Sequence, residues 1–134
     1  MVRFEDVGLR YGGAGPEVLR DLNFNLDPGT FHWLLGASGA GKSSLLRLMQ
    51  LAVRPSRGEV AVLGLAMSRA RRAALPALRR RIGVVYQDFR LLPHLPVFDN
   101  VALPLRVAGR GEAQCRADVM EILRWVGLAA KALS

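Results

Sequence analysis

A chain of 134 residues, 51% of them apolar, holds enough material for one domain with a hydrophobic core and is too apolar for a disordered segment. No apolar run reaches the roughly 18 residues needed to span a bilayer. Arg3, Glu5 and Asp6 stand where a signal peptide would need an apolar core, which points to the cytosol. The formal charge is +8, and arginine supplies 17 of the 19 basic residues. Arg69, Arg71, Arg72, Arg79, Arg80 and Arg81 form a cluster with no interleaved aromatics to stack bases. That pattern favours a solvated or membrane-near face over nucleic acid. The single cysteine, Cys115, has no internal disulfide partner and reads as a small core residue.

In chain order, "VRFEDV" alternates imperfectly and reads as a strand. "YGGAGPE" is a turn, and "VLRDLNFNL" is a cleaner strand with Leu22, Phe24 and Leu26 on one face. After the turn "DPG", the apolar "TFHWLL" (30–35) reads as a buried strand, with Trp33 filling core volume and His32 packed or at an edge. "KSSLLRLMQLAV" (42–53) is rich in helix formers and is closed off by Pro55 and Gly58. "EVAVLG" and "IGVVY" (82–86) read as strands, with a short helix from Pro76 between them. "FDNVALPLRVAG" is helical with Pro104 as a kink or break, and His94 before it is an exposed loop residue. A last helix over about 111–126 places Cys115, Val119, Ile122, Leu123 and Val126 on one face, with Gly127 as its C-terminal cap. Strands mixed with helices around a glycine-rich loop give an α/β class.

Between "TFHWLL" and the helix lies "GASGAGKS", Gly36 to Ser43, which fits G-x-x-x-x-G-K-[ST] without exception. Gly39, Ala40 and Gly41 leave the backbone N–H groups free to turn inward around a phosphate, where bulky side chains would block the approach. The helix opening at Lys42 adds its positive end to the same anion. Lys42 supplies a full charge to the β- and γ-phosphates. The Ser43 hydroxyl is placed for Mg²⁺, and Ser44 for the α-phosphate. The binding set is therefore Gly36, Ser38, Gly39, Ala40, Gly41, Lys42, Ser43 and Ser44, for ATP with Mg²⁺.

The loop alone leaves kinases, GTPases, motors and transporter ATPases open. Tyr11 upstream, "IGVVYQD" at 82–88 and "LLPHLPVFDNVALPL" at 91–105 downstream together resemble the ATP-binding cassette (ABC) ATPases, over about Phe4 to Leu128. "LRRRIGVVYQDFRLL" with "VFDNVALPLRVAG" resembles more narrowly the cell-division branch of that family, the FtsE type, whose usual partner is the membrane protein FtsX. Lipoprotein-releasing and export ATPases share similar text. The resemblance implies that Tyr11 stacks on adenine. It implies that Gln87 is the Q-loop glutamine, touching Mg²⁺ and the attacking water, and a catalytic residue beside Lys42. It also implies that Asp88 to Leu92 face the membrane partner, and that the parent is a homodimer peripheral to the cytoplasmic side of the inner membrane. Pro96 stands where relatives usually have Thr. A rival reading takes Asp88 as the Mg²⁺ ligand at the end of an apolar strand, in a small complete enzyme such as a kinase. Gln87 interrupts that run, and the strand follows the loop too soon.

No signature motif, Walker B strand with its glutamate, or switch histidine follows; after Gly127 the text is "LAAKALS". The expectation is therefore a P-loop NTPase fold in part. Residues 1–134 would be the N-terminal portion of one ABC nucleotide-binding domain: its β subdomain, the Walker A half of the RecA-like core, and the start of the helical subdomain. Such a chain is expected to bind ATP without efficient hydrolysis. A non-catalytic nucleotide-binding adaptor is the alternative of a different class.

Overall fold

A strand that alternates strictly cannot place Phe4 and Val7 on one face, because they are three residues apart. In the computed structural model, which describes residues 1–134, β1 (Val2–Leu9) solves this with a bulge. Asp6 takes φ 48°, and the register shifts between Phe4 and Val7 against one neighbour and between Glu5 and Gly8 against the other. Phe4, Val7 and Leu9 are then all buried. β2 (Leu19–Leu26) pairs antiparallel with β1 and sets Phe24 opposite Phe4, their rings stacked at 4.5 Å. Its Leu22, Phe24 and Leu26 share a half-buried face, as the alternation predicts.

β3 (Arg57–Val62) and β4 (Leu65–Ala66) complete an antiparallel sheet in the order β2-β1-β3-β4. α1 (Lys42–Met49) contributes Leu45 and Leu48 to the core under this sheet. Side chains of this size are worth about 1.5–3 kcal/mol each when fully buried. The helix stops four residues short of the expected 53. Leu51 turns left-handed at φ 60°, and the Ala52 N–H closes on the Arg47 carbonyl at 2.9 Å. The turn drives Leu51 into the core, so burial ends the helix before Pro55 does. Arg79 of the arginine cluster donates from Nε and Nη2 to the Leu51 carbonyl, at 3.0 and 2.7 Å. It sits at the end of α2 (Leu75–Arg79), which has Pro76 in its first turn as expected and buries Leu75 and Leu78.

Two expected strands do not form. Residues 30–35 and 82–86 lie in no helix and carry no ladder, since the sheet holds only β1 to β4. A strand is stable through its pairing as much as its composition, and these runs have no partner. Trp33 consequently does not fill core volume; it is 80% exposed, edge-on to Phe31, and Val85 is 98% exposed. His32 is exposed as well, its Nε2 2.8 Å from the Thr30 hydroxyl.

The chain divides into two compact units, Met1–Ile82 and Gly83–Ser134. In the second, α3 (Val97–Val107) runs through Pro104 without a break. α4 (Glu112–Trp125) buries Cys115, Val119 and Leu123, while Ile122 and Val126 of the expected face are exposed. Positions i, i+4 and i+8 are what one neighbouring helix covers; Ile122 and Val126 fall beside that stripe. Gly127 ends α4 at φ 78°, with the Leu128 N–H on the Leu123 carbonyl at 2.7 Å. Arg106 of α3 forks onto Glu112 at 2.7 and 3.1 Å and onto Asp99 at 2.7 Å, which holds the Glu112 carboxyl below its usual range.

Asn100 organises the entry to α3. Its Oδ1 accepts from the Leu92 N–H at 2.8 Å, and its Nδ2 donates to the carbonyls of Leu92, Leu95 and Pro96 within 3.2 Å. Asn100→Ala is expected to cost about 1–3 kcal/mol by leaving these half-buried groups unpaired. The check is a urea midpoint, with hydrogen exchange at the Leu92 amide rising in parallel.

Candidate functional site

The glycine loop and the helix behind it belong to the first unit. α1 opens from Gly41, which stands at φ 98°, ψ 10°, in the left-handed region. An added Cβ would lie 2.7 Å from Leu19 Cδ2 and 3.2 Å from the Val18 carbonyl, so both space and conformation demand glycine there. No side chain caps the helix and no acidic residue stands in its first turn. Its N-terminal N–H groups keep their partial positive charge for an external anion. Lys42 Nζ folds back across the loop and donates to the carbonyls of Gly36 and, at 2.7 Å, Ala37. The loop closes on itself through the Ala40 N–H to the Ala37 carbonyl at 3.1 Å, and Gly39 sits left-handed at φ 81°. Ser38, Gly39 and Ala40 are exposed, as is Ser43.

Tyr11 follows β1 in the loop that leads to β2, outside any strand. Its hydroxyl and the Ser44 hydroxyl share a hydrogen bond of 2.9 Å. One unit thus brings Tyr11, Gly36, Lys42 and Ser44 together. Gln87 belongs to the second unit, where it is exposed in a turn over 86–90. That turn has two consecutive left-handed residues, Phe89 at φ 60° and Arg90 at φ 52°. The Arg90 guanidinium lies 4.4 Å from the Tyr86 ring centroid and 3.5 Å from the Asp88 carboxylate. Asp88 is exposed in this turn, and no ladder-bearing strand ends at it, as the kinase reading would require.

The groups present fit a nucleoside triphosphate. An uncapped helix end, a lysine amine lying on the loop carbonyls, and an exposed aromatic are the chemistry such a ligand needs. No three His, Cys, Asp or Glu side chains cluster as a metal cage. A Mg²⁺ held at the Ser43 hydroxyl would draw most of its other ligands from phosphate oxygens and water, which is this ion's habit.

Residues 19–133 match the family model described as "ABC transporter". The chain belongs to the ABC transporter family. Its relatives include the methionine import ATP-binding protein MetN of Xylella fastidiosa, 41% identical over 98% of this chain and 40% of that protein. They also include the cell division ATP-binding protein FtsE of Escherichia coli, 42% identical over 98% of this chain and 59% of that protein. The fold matches a solved ATP-binding cassette, MJ0796, described as a dimer in a post-hydrolysis state bound to ADP and phosphate. The TM-score is 0.87 at 31% identity, over 99% of this chain and 60% of that one. The fold is therefore that of an ABC nucleotide-binding domain, and the chain spans roughly two fifths to three fifths of the length of these relatives.

Two residues near the site escaped the sequence reading. Ser56 and Arg57 flank the Tyr11 loop through side-chain bonds that no local pattern announces, because their partners lie about 40 residues or more away in sequence. The only available signal was the arginine itself, an exposed charge in the turn "PSRG" before a strand.

Proposed function

We propose that this chain is the ATP-binding portion of an ABC-type ATPase subunit. The observation that carries the reading is Lys42, folded across a glycine loop at the uncapped end of α1. Gly36, Ser38, Gly39, Ala40 and Gly41 surround the phosphates with backbone N–H groups, Lys42 neutralises them, and Ser44 adds a hydroxyl. Tyr11 offers its ring to the adenine. Ser43 and, by the family resemblance, Gln87 would hold Mg²⁺, and the bound ion would offset phosphate charge. Lys42 and Gln87 are the groups from this chain closest to the chemistry in this reading.

Residues 1–134 are, in this proposal, the N-terminal portion of one nucleotide-binding domain. The exposed apolar side chains of Phe31, Trp33, Leu35 and Val85, which no ladder covers, and the greater length of the relatives support it. The parent is then a homodimeric ATP hydrolase, peripheral to the cytoplasmic side of the inner membrane, with the loop 88–92 against its membrane partner. The chain as it stands should bind Mg-ATP and release phosphate at a negligible rate. Turnover at the usual rate of a complete cassette would overturn that division of labour. Separate alanine substitutions at Gln87 and Asp88 distinguish the family reading from the kinase one: Mg²⁺-dependent affinity should fall with Gln87 and stay with Asp88.

The biological setting has two readings. The text "LRRRIGVVYQDFRLL" favours the cell-division type with an FtsX-like membrane partner. The methionine-import relatives, equal in identity, favour an importer. Co-expression with an FtsX-type membrane protein should give a stable complex under the first reading and none under the second.

A further inference from the structure

The residue that presents an aromatic ring to a base must hold it still, and Tyr11 sits in a loop of glycine and proline, "YGGAGPE". Such a loop would wander unless it were tied at both ends. It is tied, and both ties come from adjacent residues, Ser56 and Arg57, where β3 begins. The Ser56 hydroxyl accepts from the Arg10 N–H at 2.9 Å, and the Ser56 N–H donates to the Gly8 carbonyl at 2.9 Å, which fixes the residue just before Tyr11. Arg57 holds the other end. Its Nε and Nη2 fork onto the two oxygens of Glu17 at 2.8 and 3.0 Å, its Nη2 lies 2.8 Å from Asp21, and its Nη1 donates to the Asp6 carbonyl at 3.2 Å. The Glu17 side chain is only 12% exposed, and its carboxylate also has Arg10 at 3.7 Å. Forked guanidinium–carboxylate pairs fix direction as well as distance, which a lysine would not do. Arg10, Gly12, Gly13, Glu17, Ser56 and Arg57 line a hollow beside Tyr11.

We propose that Ser56 and Arg57 form a brace that positions Tyr11 for an aromatic nucleobase, with Arg57 as the principal positioning residue. Neither touches the phosphates. Their effect is confined to the base end of the ligand. The inference rests on the nucleotide reading above and deepens it.

The test measures dissociation constants of the intact chain for two probes, Mg-ATP and Mg-tripolyphosphate, which has the phosphates without the base. Arg57→Ala should weaken Mg-ATP about fivefold or more, the lower end of what base–aromatic stacking contributes, and leave tripolyphosphate unchanged. Glu17→Ala removes the same fork from its other side and should give the same selective loss. In combination with Tyr11→Ala, neither should lower ATP affinity further, because both act through that ring. Equal losses for both probes, an additive double variant, or unchanged ATP affinity in Arg57→Ala would each overturn the brace. Tyr11→Ala with full ATP affinity would overturn it too, while leaving the phosphate assignment standing. A wild-type chain that binds neither probe would instead bring down the nucleotide reading, and the brace with it.

Discussion

Lys42→Ala is expected to abolish Mg-ATP binding. Lys42 is the sole charged side chain between Gly36 and Leu46, so nothing nearby replaces it. It is half-buried, and its amine already lies in the loop mouth on the Gly36 and Ala37 carbonyls. A phosphate arriving there is a stronger acceptor than either carbonyl, and Nζ needs only to turn toward it. A unit charge about 4 Å from an anion near a protein surface is worth about 4 kcal/mol, or about a thousandfold in affinity. Arg47→Ala is the matched control: the same change of charge, on an exposed position in the last turn of α1. It should leave affinity within about twofold, because an exposed side-chain charge that points into solvent contributes little. Competition against a fluorescent nucleotide at fixed Mg²⁺ reads both. Unchanged affinity in Lys42→Ala would sink the assignment of this loop.

The loop was legible because its chemistry is local. Gly39, Gly41 and Lys42 meet their roles through the backbone of a few neighbours, so spacing alone specifies them. β2 was legible for a similar reason: Leu22, Phe24 and Leu26 obey a period of two that no distant residue needs to correct. The imperfect alternation of β1 reflects a real irregularity, since Asp6 is a bulge that carries Val7 over to the face of Phe4. Where the structure departs from local pattern, a non-local partner decides the outcome. Residues 30–35 and 82–86 have strand composition, but a strand without a ladder leaves Trp33 and Val85 in solvent. The helix formers of α1 extend to 53, but the core claims Leu51 first. Ser56 and Arg57 act across about 36 residues or more of chain, a distance over which one sequence has no periodicity to show.

Gly58→Ala is expected to be the most disruptive single methyl in the chain. Gly58 stands at φ 79°, opposite the bulge of β1, where β3 begins. A Cβ there would lie 2.3 Å from the Asp6 carbonyl oxygen, 2.5 Å from its carbon and 2.5 Å from the Glu5 carbonyl oxygen. All three are backbone atoms, so no side chain can swing aside; β1 itself must shift. Left-handed strain of about 1–2 kcal/mol and overpacking of about 1–3 kcal/mol together predict a loss near 3 kcal/mol or more. Gly64→Ala separates the two causes. Gly64 has φ 85° with nothing within 4 Å of the added carbon, so it should show the strain alone. Urea unfolding with an unchanged slope measures both. Equal losses at the two positions would mean that β1 does not press on β3 as described. The displaced atoms also matter to the site. The Asp6 carbonyl is an anchor of the Arg57 guanidinium, and Gly8, across the same bulge, pairs with Arg57 and accepts from Ser56. A shift of β1 at Asp6 should therefore travel to the Tyr11 loop. At a urea concentration of zero, where the variant still folds, Gly58→Ala should lose ATP affinity selectively over tripolyphosphate, and Gly64→Ala should not.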